Sequence, residues 1–276
     1  MIYWYSGTGT SLRVARLLAS FTHDGLTCMV PAAQVTHNQD CPHPDGSQSR
    51  VGLVFPVYGW RPPRAVEEFI ERLPAYSPAE HDYVYAVLTC GDDIGRTDRV
   101  LRKLLQRKGW PLHAVHSVQQ RNTYVCLPGF DVDAAEVEAS KQSEGYRLIE
   151  QRIVPSILSH LPSTPDCITP GSMPGLKTYV LGWLFRHLLT APSRFKATER
   201  CTGCRSCLRN CPQHNISADP NGHPHWGDHC SHCLACYHVC PHHAITYGPF
   251  TRGKGQVKLI RQPEQPPQRA KGYIHP

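Results

Sequence analysis

The sequence predicts two structural units in series: a doubly wound α/β domain around a five-stranded parallel sheet, then a smaller α+β domain built around cysteine. Three features point to this. Apolar runs of strand length alternate with helical patterns through the first 160 residues. A turn rich in Gly and hydroxyl side chains follows the first of those runs. Two cysteine runs of identical spacing lie 29 residues apart toward the C-terminus.

Taken in order, Ile2-Tyr3-Trp4-Tyr5 reads as the first strand, and Val14, Leu17, Leu18 and Phe21 recur at helical spacing after it. Leu26 to Val30, Val51 to Phe55, Tyr83 to Leu88 and Ala114 to Val118 read as the other buried strands. Between them, Val66, Phe69, Ile70 and Leu73 form a helical stripe opened by Pro62-Pro63. Val100, Leu101, Leu104 and Leu105 form another, opened by Thr97-Asp98. A last helix runs from Asp133 through Tyr146, Ile149, Ile153 and Ile157, with Pro155 expected to kink its end.

The cysteines carry the most specific signal. Cys201, Cys204, Cys207 and Cys211-Pro212 follow C-x2-C-x2-C-x3-C-P, and Cys230, Cys233, Cys236 and Cys240-Pro241 repeat it. Two-residue spacers curl three thiolates around three corners of a cubane, and the fourth cysteine of each run ligates the other cluster. The expected sets are therefore Cys201, Cys204, Cys207 and Cys240 for one 4Fe-4S cluster, and Cys230, Cys233, Cys236 and Cys211 for a second. A pair of structural zinc sites would instead use paired C-x-x-C knuckles separated by a longer loop. Ile216 and Ile245, each five residues past its Cys-Pro cysteine, are placed to shield a cluster from water. Arg205 stands where a small residue is expected, and a raised potential for the first cluster is the anticipated consequence. Eight of the 17 histidines fall between His214 and His243 and read as exposed loop residues, since the cysteines already complete both ligand sets.

In the first unit, Ser6-Gly7-Thr8-Gly9-Thr10-Ser11 joins a strand to a helix N-terminus. Backbone amides and hydroxyls there suit a phosphate. The loop lacks the Gly-Lys-Ser/Thr ending of a nucleotide-triphosphate loop, and Leu12 replaces the third glycine of a dinucleotide fingerprint. Flavin mononucleotide is the phosphate ligand that remains. Doubly wound sheets bind ligands at the carboxyl ends of their strands. Pro56-Val57-Tyr58-Gly59-Trp60 after the third strand and Thr89-Cys90-Gly91-Asp92-Asp93 after the fourth are thus the expected ring-side loops.

The phosphate loop, Phe55-Pro56-Val57-Tyr58 and the double cysteine run together resemble a flavodoxin–ferredoxin fusion family of mostly anaerobic bacteria, the EFR-type ferredoxins. The resemblance spans nearly the whole chain. It implies a flavodoxin-like FMN domain and a two-cluster ferredoxin domain in one electron-transfer protein, and it names no substrate. Carried over, Ser6, Thr8, Gly9, Thr10 and Ser11 match the phosphate loop, Pro56, Tyr58 and Trp60 the first ring-side loop, and Gly91 and Asp92 the second. The second loop lacks the aromatic that flavodoxins carry there, and Tyr124, after the fifth strand, could substitute. Two other readings stand beside the carrier: a flavin-dependent reductase of a quinone or other small acceptor, and a ferredoxin whose flavodoxin-like domain only docks a partner.

The expected organisation is 1–159 for the flavodoxin-like domain, 160–192 for a linker and apolar helix, 193–250 for the ferredoxin domain, and 251–276 for a disordered tail. Residues 160–175 carry four prolines. After them Leu176, Val180, Trp183, Leu184 and Leu188 form an apolar stripe, expected to dock on one of the chain's own domains, with a peripheral membrane contact as the alternative. That stretch is too short to span a bilayer and is broken by Lys177 and Arg186. No leader is visible, so a cytoplasmic address with reduced thiols is expected. Of the cysteines outside the runs, Cys28 and Cys90 are expected as buried thiols, and Cys41, Cys126 and Cys167 in loops. The polypeptide carries +7. Two thiolate-ligated clusters and a flavin phosphate would bring that to roughly +1, so the basic excess does not argue for nucleic acid. Redox partner proteins are the expected partners.

Overall fold

The structure, a computed structural model, describes residues 1–30 and 50–260. The expectations for Cys41 and for the tail past Gln262 lie outside the described residues. Five strands, β1 (Ile2–Trp4), β2 (Leu26–Cys28), β3 (Arg50–Pro56), β4 (Tyr83–Cys90) and β5 (Ala114–Gln119), form one parallel sheet in the order β2-β1-β3-β4-β5. This is the flavodoxin-like doubly wound order, with its switch point between β1 and β3.

Period-two alternation builds a core on each face. Val84, Ala86, Leu88 and Cys90 of β4 join Val51, Leu53 and Phe55 of β3 on one face, under α2 (Arg64–Glu71) and α3 (Thr97–Arg107). Tyr83, Tyr85 and Val87 join Val54 and Val118 on the other, under α1 (Thr10–Thr22). Each such side chain contributes about 1.5–3 kcal/mol by leaving water. Gly52 has a packing reason: a Cβ there would lie 2.5 Å from the Tyr85 ring.

The last helix of this unit begins as α4 (Ala135–Leu148) and continues through a π turn, Ile149–Ile153, into α5 (Val154–Leu158). Pro155 has no amide to give the helical ladder, and the widened turn immediately precedes it. The Pro-rich segment expected as a linker is stitched to the sheet. Thr169 N donates to Ser117 Oγ at 2.7 Å, Ile94 N to Thr169 O at 3.0 Å, and Val115 N to Ser163 Oγ at 2.9 Å.

Residues 174–189 form successive α and π turns that dock by an unexpected face. Thr178 is fully buried and its Oγ1 accepts the Arg96 amide at 2.7 Å. Gly182 lies against the Gly59 carbonyl, and Arg186 reaches Glu67 at 2.6 Å and the Pro62 carbonyl at 2.7 Å. The apolar stripe points the other way: Leu176, Val180, Trp183 and Leu188 are 45–56% exposed. Docking on the chain's own domain is therefore made by polar and small residues, which satisfy loop amides and carbonyls that apolar groups cannot. Among the described residues no helix is long and apolar enough to cross a membrane.

The C-terminal unit has two antiparallel pairs, β6 (Phe195–Ala197) with β9 (Ile245–Tyr247), and β7 (Ile216–Ala218) with β8 (Pro224–Trp226). Its core gathers Phe195, Ile216, Leu234, Ile245 and Tyr247 with Cys207, Cys236 and Cys240. Val125 and Cys126, from the loop after β5, are buried in the same core, so the two units share packing. Residues 251–260 do not behave as the expected loose tail: Thr251, Val257 and Ile260 are buried.

Candidate iron–sulfur site and the crevice beside it

The cysteine repeat appears in the backbone as well as in the sequence. Gly203, Arg205 and His214 have positive φ, and so do His232, Leu234 and His243, each 29 residues further on. Arg205 and Leu234 are the left-handed residues that open two short helices, Ser206–Arg209 and Ala235–Val239. Holding non-glycine residues there costs on the order of 1–3 kcal/mol apiece, a cost that clusters at functional sites. Arg205 is exposed, so the departure noted in the sequence points its side chain to solvent.

The thiols group across the two runs. Cys207 feels Cys240 and Cys201, while Cys236 feels Cys233, Cys230 and Cys211. Burial pushes the Cys207 and Cys230 thiols up to about 11. Cysteine sulfurs are the donors that an iron–sulfur cluster takes, so the donor set fits one. Backbone amides back the sulfurs in a repeating way: Asn215 N donates to Cys211 Sγ at 3.4 Å, and Ala244 N to Cys240 Sγ at 3.3 Å. Among the described residues no three His, Cys, Asp or Glu side chains converge on a single-ion site. A cubane is gripped at its corners, so its ligands need no such convergence. Ile216 and Ile245 are buried in this core, as their spacing implied.

Cys204 and Cys233, one from each expected set, differ in their surroundings. Cys204 is exposed, and Ser206 with its neighbouring amide draws its thiol pKa down. Cys233 faces inward, and burial raises its pKa. A Cβ on Gly7 would lie 2.5 Å from Cys233 Cβ and 2.7 Å from Tyr58 Oη, so the cysteine-rich domain sits directly on the phosphate-type loop.

Six of the eight clustered histidines are exposed, as expected, but His232 and His238 are buried. His232 lies among the rings of Tyr124, Phe185, Phe195 and Tyr247, and burial pushes it down to about 3. His238 Nε2 meets the Thr123 carbonyl at 2.8 Å and ties the two units together. Polarity alone hides both roles in the sequence. Of the remaining thiols, Cys90 is buried as expected. Cys28 is exposed because β2 is an edge strand, and Cys126 is buried because its loop enters the third core.

The crevice at the switch point is lined by Thr8, Thr10, Pro56, Tyr58 and Gly91 of the expected set, together with Tyr124. Five expected residues do not line it. Ser6 Oγ accepts the Gly9 amide at 3.0 Å, and Ser11 Oγ pairs with Thr89 Oγ1 at 2.8 Å, so both hydroxyls face the protein. Trp60 turns away under Lys177, whose Nζ is 5.6 Å from its ring centroid. The Asp92 side chain is 81% exposed. Gly9 is covered, since a Cβ on it would lie 1.9 Å from the Ile260 carbonyl oxygen. Residues that sequence reading did not single out complete the wall: Gln120 to Thr123 after β5, and His232 and Leu234 from the cysteine-rich domain. The strand-end rule could have found the β5 loop; nothing local marks the other domain's share.

The expected FMN does not fit this arrangement. The crevice encloses about 80 Å³, whereas pockets for ligands of such size run to about 300–1,000 Å³. One loop amide is also engaged, Gly9 N–H on Ser6 Oγ. Tyr124 lines the wall, but its ring packs on Phe130 and Phe185.

Comparison with known proteins agrees with the cysteine-rich unit. Residues 200–245 match the family model of the 4Fe-4S dicluster domain. No curated protein matches the chain. Among solved structures, a putative flavoprotein from Bacteroides eggerthii aligns over 42% of this chain and 86% of its own, at 21% identity and a TM-score of 0.32. A second, from Bacteroides uniformis, aligns over 43% and 88%, at 18% identity and 0.31. An NAD(P)H:quinone oxidoreductase from Methanothermobacter marburgensis aligns over 53% and 91%, at 10% identity and 0.32. The fold assignment itself rests on the strand order. Fold and site together define a flavodoxin-like protein with a 4Fe-4S domain and a redox or electron-transfer role.

Proposed function

We propose that the chain is an electron-transfer protein of the flavodoxin–ferredoxin fusion kind with two 4Fe-4S clusters. Cys201, Cys204, Cys207 and Cys240 hold one, and Cys230, Cys233, Cys236 and Cys211 the other. The observation that carries this reading is that the two runs meet in one core, with Cys207, Cys236 and Cys240 inside it and Cys201, Cys211 and Cys230 packed against it. Such clusters take up and release single electrons. The chain contributes position, apolar shielding by Ile216 and Ile245, and amide hydrogen bonds to sulfur. Exposed Cys204, with exposed Arg205 and Arg209 beside it, marks where a redox partner protein with an acidic face would approach.

The flavin readings need a different arrangement at the switch point, one with loop 6–11 uncovered. The geometry favours a ferredoxin whose flavodoxin-like domain serves docking. Iron, acid-labile sulfide and acid-extractable flavin, measured on anaerobically purified full-length protein, test this. About eight iron and eight sulfide per chain with no stoichiometric flavin are expected, and stoichiometric zinc in place of iron ends the proposal.

A further inference from the structure

The carboxyl ends of β1 and β3, where a doubly wound sheet holds its ligand, are occupied here by the chain itself. We infer that loop 6–11 and Tyr58 are a seat for the cluster held by the Cys233 set, and that Tyr58 is the positioning residue that tunes that cluster. The ligand crevice of the fold is thereby an intramolecular docking site for an iron–sulfur centre. The inference rests on the two-cluster reading above.

Three contacts carry it. Gly7 presents bare backbone to Cys233: a Cβ would lie 2.5 Å from the cysteine's own Cβ, so the close approach requires glycine. Tyr58 Oη stands at the same point, 2.7 Å from that missing Cβ, which sets its hydroxyl beside Cys233. Behind the loop, Ile260 N donates to Thr8 O at 3.0 Å and its carbonyl covers Gly9, which closes the side from which a phosphate would enter.

A polar hydroxyl close to a ligating cysteine favours the more negative, reduced state, and its loss lowers the midpoint potential. Only the cluster on the seat should respond, because the cysteines beside Gly7 and Tyr58 are Cys233 and Cys230, both of that set.

The test uses full-length, anaerobically purified protein with its clusters in place. A spectroscopic redox titration of Tyr58→Phe should show one midpoint potential moved to a more negative value and the other unchanged, at unaltered iron content. Gly7→Ala, which forces the seat apart and removes no hydroxyl, should move the same midpoint. Titrating the wild type with FMN should give no saturable quenching of flavin fluorescence. Saturable one-to-one FMN binding, or a Tyr58→Phe protein whose two potentials both stay in place, overturns the seat while leaving the iron content, and so the two-cluster reading, intact. A wild type without iron removes both.

Discussion

The Ile260 amide donates to the Thr8 carbonyl at 3.0 Å, which fastens the last described residue of the chain to the first loop of the sheet. Lys258 joins this strap through its carbonyl, which accepts from Arg121, and Val257 N donates to His238 Nδ1 at 3.3 Å. The strap therefore touches both units at once.

Gly9→Ala should release it. Gly9 has φ +96°, a region that costs a side-chain-bearing residue on the order of 1–3 kcal/mol, and the added methyl would overlap the Ile260 carbonyl at 1.9 Å. Limited proteolysis should cut residues 254–260 faster in the variant, and urea unfolding should show a loss of about 1–3 kcal/mol. Cleavage at the wild-type rate would show that the strap does not depend on this contact.

The 174–189 helix gives two substitutions of opposite outcome. Gly182→Leu drives a side chain into the Gly59 carbonyl, 2.6 Å from the Cβ position, and should cost about 1–3 kcal/mol by overpacking. Trp183→Ser removes a side chain from the exposed face and should change stability by less than about 0.5 kcal/mol. Thermal unfolding of the two variants side by side reads the docking face directly. The reverse ranking would mean that the apolar stripe is the buried one.

Acid sensitivity should trace in part to His116. It is 3% exposed on β5, and burial, with Arg152 as a lesser cause, pushes its imidazole from 6.5 down to about 4. The unfolded chain binds a proton near pH 6.5 and the folded one resists it, so stability is full above that value and falls as pH drops toward about 4. Between pH 8 and pH 5 the loss is about 2 kcal/mol. Urea midpoints for the wild type and His116→Leu at both pH values check this: the variant should lose less on acidification. An equal loss in both would place the acid sensitivity elsewhere.

The strands, their order and the cysteine repeat were legible in the sequence because each is a local periodic signal. Val51, Leu53 and Phe55 alternate with Gly52 and Val54 in the chain as they do across the sheet. The phosphate-type loop was legible too, since Gly9 and its hydroxyl neighbours advertise a turn onto a helix. What covers that loop was not. Ile260 meets Thr8 across 252 positions, and Cys233 meets Gly7 across 226. Contacts of that separation leave no pattern in either segment alone. The helix at 174–189 misleads for a related reason: its apolar period marks a face without saying which surface the face meets. Thr178 and Gly182, the residues that dock, have no hydrophobic signature.

Crossed ligation can be read by combining substitutions. If Cys211 completes the set of Cys230, Cys233 and Cys236, then Cys211→Ser impairs the cluster on the Tyr58 seat and leaves the one near exposed Cys204. In that background the surviving cluster should be indifferent to Tyr58→Phe. Cys240→Ser should do the opposite, impairing the solvent-side cluster and leaving a centre whose midpoint still moves when Tyr58 loses its hydroxyl. The pairing is expected because the two runs share one core, while the amides of Asn215 and Ala244 hold the two fourth cysteines in matching positions. If each run closed on itself, the Tyr58-sensitive cluster would survive in Cys211→Ser instead. Redox titration of the two double variants separates the alternatives by which surviving centre moves.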